Sequence, residues 1–166
     1  MSIQNLNDLF LHTLKDIYFA EKQIIEALPT MSEKAASPDL SAAFDSHLSE
    51  TELHVDRLEQ VFELIGEQAE GEACPAIEAI IQESEELTSE IEDENTMDAA
   101  LIASAQAVEH YEITRYGTLI SWAGELGLDE AVEILNETLN EEEEADRKLS
   151  VLGENRINAT AVNEVE

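Results

Sequence analysis

The sequence predicts an all-α chain folded as a four-helix bundle, and three observations carry that prediction. Only three prolines and six glycines interrupt 166 residues, and no glycine falls inside a long periodic stretch before Gly117. Leu, Ile, Val and Ala recur at three- and four-residue spacing through most of the chain, with no β-type alternation. The periodic stretches fall into two pairs, joined by a connection of about thirty residues that is too long for a simple turn.

The first helix spans about residues 5–28. Leu6, Phe10, Leu14, Ile17, Ile24 and Leu28 line one face, the length is about 36 Å at 1.5 Å per residue, and Pro29 is the expected stop. Ser37-Pro38-Asp39 reads as an N-cap followed by proline at the first helical position. The second helix then carries Leu40, Phe44, Leu48, Leu58, Phe62 and Ile65 until Gly66 closes it. After a polar loop over 67–73, Pro75 opens a shorter amphipathic segment with Ile77, Ile80, Ile81, Leu87 and Ile91, expected to be a crossover helix. The third long helix starts near Thr96, carries Leu101, Ala105, Val108, Tyr116, Leu119 and Ala123, and ends around residues 124–127. Asp129 is expected to cap the fourth, whose stripe is Ala131, Leu135, Leu139, Leu149 and Leu152 and whose end is Gly153. Residues 1–153 therefore read as one domain and 154–166 as a loose polar tail. Two antiparallel hairpins with a long crossover carrying a short fifth helix make the one-crossover bundle of the ferritin-like class.

Charge narrows the function classes. The chain has 39 Asp and Glu against 8 Lys and Arg, a formal net charge of −31. Such a surface repels nucleic acid, whose binding rests on neutralising phosphates, and it disfavours anionic membranes. Self-repulsion on this scale is relieved in strong salt, where the Debye length falls to about 3 Å at 1 M, so a halophilic host is expected. No export signal and no stretch of roughly 18 apolar residues is present, which places the protein in the cytoplasm. Cys74 is the only cysteine; it excludes a Cys-cluster metal site within one chain. Phosphate-cradling glycine loops and nucleophile–base motifs are missing, so nucleotide enzymes and hydrolases are not expected.

In a bundle with apolar seams, the informative residues are polar ones on the inward stripes, because a charge buried without a partner costs several kcal/mol. The series 10, 14, 17, 21, 24, 28 turns Glu21 inward. The series 40, 44, 47, 51, 54, 58 does the same for His47 and His54, with Glu50 beside them. On the third helix Glu109 and Glu112 fall between Ala105 and Tyr116. On the fourth the stripe passes through Glu142 and Asp146, with Glu143 just off it. Counting turns from the two hairpin joints puts all of these at one level in mid-bundle. A pair of divalent cations is the simplest thing that neutralises them, and carboxylate with a little imidazole suits iron or manganese. His12 and His110 fall off the stripes and read as surface residues, His110 with an outer-shell role as its only alternative. Tyr18 and Tyr116 lie one turn from Glu21 and Glu112, within reach of a liganding carboxylate.

At these residues the sequence resembles a known group. The stretches Leu14-Lys-Asp-Ile-Tyr-Phe-Ala-Glu-Lys-Gln, His47-Leu-Ser-Glu-Thr, Arg57-Leu-Glu-Gln-Val-Phe-Glu-Leu-Ile-Gly, Val108-Glu-His-Tyr-Glu-Ile, Tyr116-Gly-Thr-Leu, Thr138-Leu-Asn-Glu-Glu-Glu and Ala145-Asp are similar to the YciE/YciF-like stress-associated branch of the ferritin-like superfamily. The resemblance covers almost all of residues 3–152. It implies a dimer-forming bundle made under stress. The wider superfamily holds two irons with one Glu from each of two helices and a Glu-x-x-His pair from each of the others. Glu21 and Glu109 or Glu112 match the first role. The second helix offers His47-x-x-Glu50 in reversed order, or Glu50 and His54 one residue too far apart, and the fourth offers Glu143-x-x-Asp146.

Two functions follow as expectations. One is oxidation of Fe(II) by oxygen or peroxide, or catalase-like turnover at manganese, with Glu50 and Glu143 bridging the metals. The other is a non-enzymatic dimeric stress protein whose site is structural or simply binds metal.

Overall fold

In a computed structural model, which describes residues 2–162, helix α1 runs over Leu6–Lys34, capped by the Asn5 side chain, which accepts from the Asp8 N–H. It does not stop at Pro29. The proline lies inside the helix and is exposed, and the turn beyond it is held by tertiary contacts. The Ser32 hydroxyl donates to Asp45 at 2.7 Å, and Lys34 donates to the Thr88 hydroxyl at 2.8 Å. Proline removes one hydrogen bond of the ladder, and the contacts with Asp45 and Thr88 offset that loss.

Helix α2, Pro38–Leu64, begins as expected at the Ser37 cap. Gly66, at φ +71°, turns the chain out of it through the left-handed conformation that glycine adopts without a side-chain clash. The crossover helix α3, Pro75–Ser89, leads to α4, Glu94–Glu125, which the Asp93 carboxylate caps. The fourth long helix, α5, spans Asp129–Leu152. Asp129 is not its cap: Leu128 holds that position without a side-chain hydrogen bond, and Asp129 sits in the first turn, where its charge faces the positive end of the helix dipole.

The packing makes a ferritin-like ring. Helix α1 lies between α2 and α4, α5 lies between α4 and α2, and α3 rests outside on α4 and α1. Asp98, near the start of α4, is only 4% exposed and accepts the N–H groups of Ala36 and Ser37 at 2.8 Å each, so α4 starts at the α1–α2 joint. Every long helix is therefore antiparallel to both ring neighbours, and α3 carries the chain back along the bundle. Its core is apolar toward both ends, with Phe10, Leu14, Leu58, Phe62 and Leu119 toward one and Leu28, Leu40, Phe44 and Leu101 toward the other.

Past Leu152 the chain continues as a π-helical turn, Gly153–Ile157, and a short helix α6, Asn158–Val162, against α4. Buried Ile157 anchors this segment, where the sequence pattern suggested only a loose polar tail; residues 163–166 of that tail lie outside the described residues. No helix among the described residues is long and apolar enough to cross a membrane.

Asp98→Ala removes two buried charge-assisted bonds, and we expect it to cost about 2–3 kcal/mol in urea unfolding. Asp93→Ala, at the exposed α4 cap, should cost about 1 kcal/mol. Equal losses would mean that Asp98 is an ordinary cap and not the tie between the two hairpins.

Candidate metal centre

Each long helix delivers carboxylate or imidazole to one level of the core. Glu21 is held there by Ile17 and Ile24 on either side of it along α1, His47 and His54 by Phe44 and Leu58 on α2, Glu109 and Glu112 by Ala105 and Tyr116 on α4, and Glu142 by Leu135 and Leu149 on α5. These six are all buried, Glu21, His54, Glu112 and Glu142 completely. They form two groups: His47, Glu109, Glu112 and Glu142, whose offered atoms lie within 4.8 Å of one another, and Glu21, His54 and Glu142 within the same limit. Glu142 belongs to both.

The other three expected residues lie outside these groups. Glu50 is half-buried at the edge, with Oε2 3.6 Å from His47 Nδ1 and Oε1 3.9 Å from Lys148. Glu143 is exposed. Asp146 takes a hydrogen bond from Gln106 at 3.0 Å and lies 3.3 Å from the exposed His110. His12 pairs with Glu72 at 3.3 Å on the surface. Of the two tyrosines, Tyr116 donates a short hydrogen bond to Glu21 while Tyr18 donates to Glu59 at 2.8 Å.

Two residues that the sequence reading passed over complete the site. Arg57 grips Glu141 with both terminal guanidinium nitrogens, at 2.6 and 2.9 Å, and Glu141 in turn lies 2.9 Å from His54 Nε2. That contact assigns the ring proton to Nε2 and leaves a lone pair on Nδ1. Nδ1 faces Glu142 Oε1 at 3.0 Å and Glu21 Oε1 at 3.5 Å. A lone pair facing two carboxylate oxygens is repulsive unless a proton or a cation lies between them. The available signal was Arg57 itself, one of only eight basic residues and one helical turn from an inward histidine.

The same pattern holds across the centre. Among the described residues, ten buried side-chain N and O atoms lack a hydrogen-bond partner, and nine of them belong to Glu21, His47, His54, Glu109, Glu112 and Glu142. Buried polar atoms are ordinarily satisfied, so orphans concentrated on six residues that fall into two adjoining groups have the character of a ligand set. Four carboxylates and two neutral imidazoles match the charge of two divalent cations, and the oxygen-rich, thiolate-free donor set fits iron or manganese. Cys74 is not part of it, since its thiol lies 3.0 Å from the Tyr111 hydroxyl.

Without a cation, protons must do the neutralising. Burial pushes Glu112 well above the carboxylate range, and the charges of Glu142, Glu21 and Glu109 push it further. Burial raises Glu142 from 4.5 to about 8 against the pull of His54. For His54 burial works downward, but Glu142 and Glu21 prevail and carry it from 6.5 to about 10. His47 is likewise depressed by burial and then held well above its ordinary value by Glu109 and Glu50. Glu141 is held low by Arg57.

Comparison with known proteins agrees with this architecture. Residues 5–162 match the family model described as "Domain of unknown function (DUF892)". Protein YciF of Escherichia coli (strain K12) is 42% identical over 164 residues, 98% of this chain and 99% of that protein. Among solved structures, YcfI from Rhodopseudomonas palustris is 53% identical with a TM-score of 0.89, covering 90% of this chain and 95% of that one. The E. coli stress protein YciF superposes with a TM-score of 0.90 at 41% identity, covering 94% and 99%.

The raised groups fix a pH dependence for metal-free protein. Each binds its proton more tightly when folded, so its stabilising contribution is full below the unfolded pKa and is lost as pH rises through the folded one. That window is 4.5 to about 8 for Glu142 and 6.5 to about 10 for His54. At constant ionic strength, the melting temperature of chelator-treated protein should fall from about pH 5 to about pH 10, and manganese should flatten the slope. A flat profile without metal would show that the cluster is not sharing protons in this way.

Proposed function

The chain belongs to the DUF892 family, and from that premise we propose that it is a stress-associated protein whose bundle core holds two divalent metal ions and oxidises Fe(II) with oxygen or peroxide. The observation that carries the reading is the set of six buried residues, holding nine partnerless side-chain atoms, that fall into two groups sharing Glu142.

Glu21 and His54 would hold one ion and His47, Glu109 and Glu112 the other, with Glu142 between them. Two ions so placed supply redox and Lewis-acid chemistry. The protein's own residues supply the setting. Glu141, fixed by Arg57, orients His54 and keeps its Nδ1 free to coordinate. Tyr116 donates to Glu21 and so fixes which carboxylate oxygen remains available. Thr51 uses its hydroxyl on the His47 carbonyl at 2.8 Å, which keeps it out of competition for the ligands.

Residues at the edge also favour a reactive site over a closed structural one. His47 and Glu109 line both the cluster and a cavity that leads away from it, so one side of the centre is reachable by small molecules. We further infer a cytoplasmic homodimer, as the family resemblance implies, working in a salt-rich medium that screens the acidic surface.

Purified in high salt without chelator, or reloaded anaerobically, the protein should bind about two iron or manganese ions per chain and oxidise added Fe(II) on exposure to oxygen or peroxide, followed by near-ultraviolet absorbance. Glu142→Gln should lower the stoichiometry to about one or less and abolish oxidation, while Glu141→Gln should weaken metal binding about 10- to 100-fold with the fold intact. Two ions bound without oxidation would favour the structural reading. Failure to bind any metal would overturn both forms of the proposal.

A further inference from the structure

The cavity beside the metal centre is larger than that chemistry requires. It encloses about 550 Å³, space on the order of fifteen to twenty water molecules at about 30 Å³ each. An iron ion, dioxygen or peroxide fills only a small part of it, whereas small organic ligands occupy sites of about 300–1,000 Å³. All five helices of the bundle contribute to the wall. Two buried alanines, Ala105 and Ala145, 5% and 7% exposed, line it and leave room that a larger side chain would occupy.

The wall chemistry selects the occupant. Ile24, Leu28, Phe44, Leu101 and Leu149 make the inner surface apolar. Its ionisable groups are Glu26, Glu50, Glu85 and Glu109 against Lys34, Lys148 and the His47 imidazole, and both lysines are engaged, Lys34 by Thr88 at 2.8 Å and Lys148 by Glu50 at 3.9 Å. An anion meets more negative charge than positive. A cation is drawn to the carboxylates and not to the apolar wall. Where the cavity meets the cluster, His47 and Glu109 present buried atoms without hydrogen-bond partners.

We propose that this cavity binds a small, uncharged, largely apolar organic molecule, its body against Ile24, Leu28, Phe44 and Leu101 and its leading end beside His47 and Glu109. Binding itself is independent of metal. Only the idea that the bound molecule meets a reactive centre rests on the metal reading above.

The test is a fluorescence titration of the full-length protein, metal-free and manganese-loaded, with the neutral probe N-phenyl-1-naphthylamine and its sulfonated counterpart 8-anilinonaphthalene-1-sulfonate. The neutral probe should bind saturably, a single molecule per chain, and the sulfonate about tenfold more weakly or worse. Ala105→Leu should weaken the neutral probe about tenfold while preserving helicity and melting temperature. If that variant does not fold, Ala43→Leu, on the half-buried rim, takes its place. No saturable binding, sulfonate binding as tight as neutral, or binding unaffected by the filling variant would each overturn the proposal. Probe binding to a protein that takes up no metal would leave the cavity standing and sink the metal reading; metal uptake without probe binding would do the reverse.

Discussion

Four carboxylates and two imidazoles at the centre of an apolar bundle impose the constraint that the rest of the structure answers to. Left charged and unpaired, such groups would cost more than a domain's typical net stability of about 5–15 kcal/mol. The chain therefore has to keep them protonated or supply counter-charge. The raised pKa values of Glu112, Glu142, His47 and His54 describe the first solution. The geometry of the orphaned atoms describes the second. Apolar residues above and below this level are what make either solution necessary, since they offer the buried groups neither counter-charge nor hydrogen bonds.

The surrounding hydrogen bonds are graded by this constraint. Arg57, Glu141 and His54 form a chain that starts at the half-buried edge of the bundle and ends on the imidazole whose Nδ1 faces Glu142 and Glu21. In a protein with 8 basic residues against 39 acidic ones, placing a bidentate arginine there is a notable use of positive charge. Asp98 does comparable work at one end of the bundle, where it holds the α1–α2 joint to the start of α4. One residue fixes the orientation of a buried imidazole and the other fixes the relation of the two hairpins that meet at the cluster.

Most of the fold was legible because the apolar stripes have helical period and the connections have readable caps. Pro29 misled because the rule that proline ends a helix says nothing of partners such as Asp45 and Thr88, which lie far along the chain. The site was legible to within a small rotation of each helix. Glu21, His47, His54, Glu109, Glu112 and Glu142 fell on inward stripes and converge. In the run of four glutamates on α5, neighbouring residues differ by about 100° around the axis, and periodicity alone does not decide which pair shares a level. The structure turns Glu142 to the centre, Glu141 to Arg57 and His54, and Glu143 to solvent. Glu141 escaped notice because its role depends on α2, not on its own helix.

Neither hairpin owns the centre. Glu21, His47 and His54 belong to α1 and α2, while Glu109, Glu112 and Glu142 belong to α4 and α5. A ribosome making this chain has released every histidine donor long before Glu142 emerges, and each of the two ligand groups contains Glu142. The order of synthesis therefore leaves both groups incomplete until the last long helix has closed on the second.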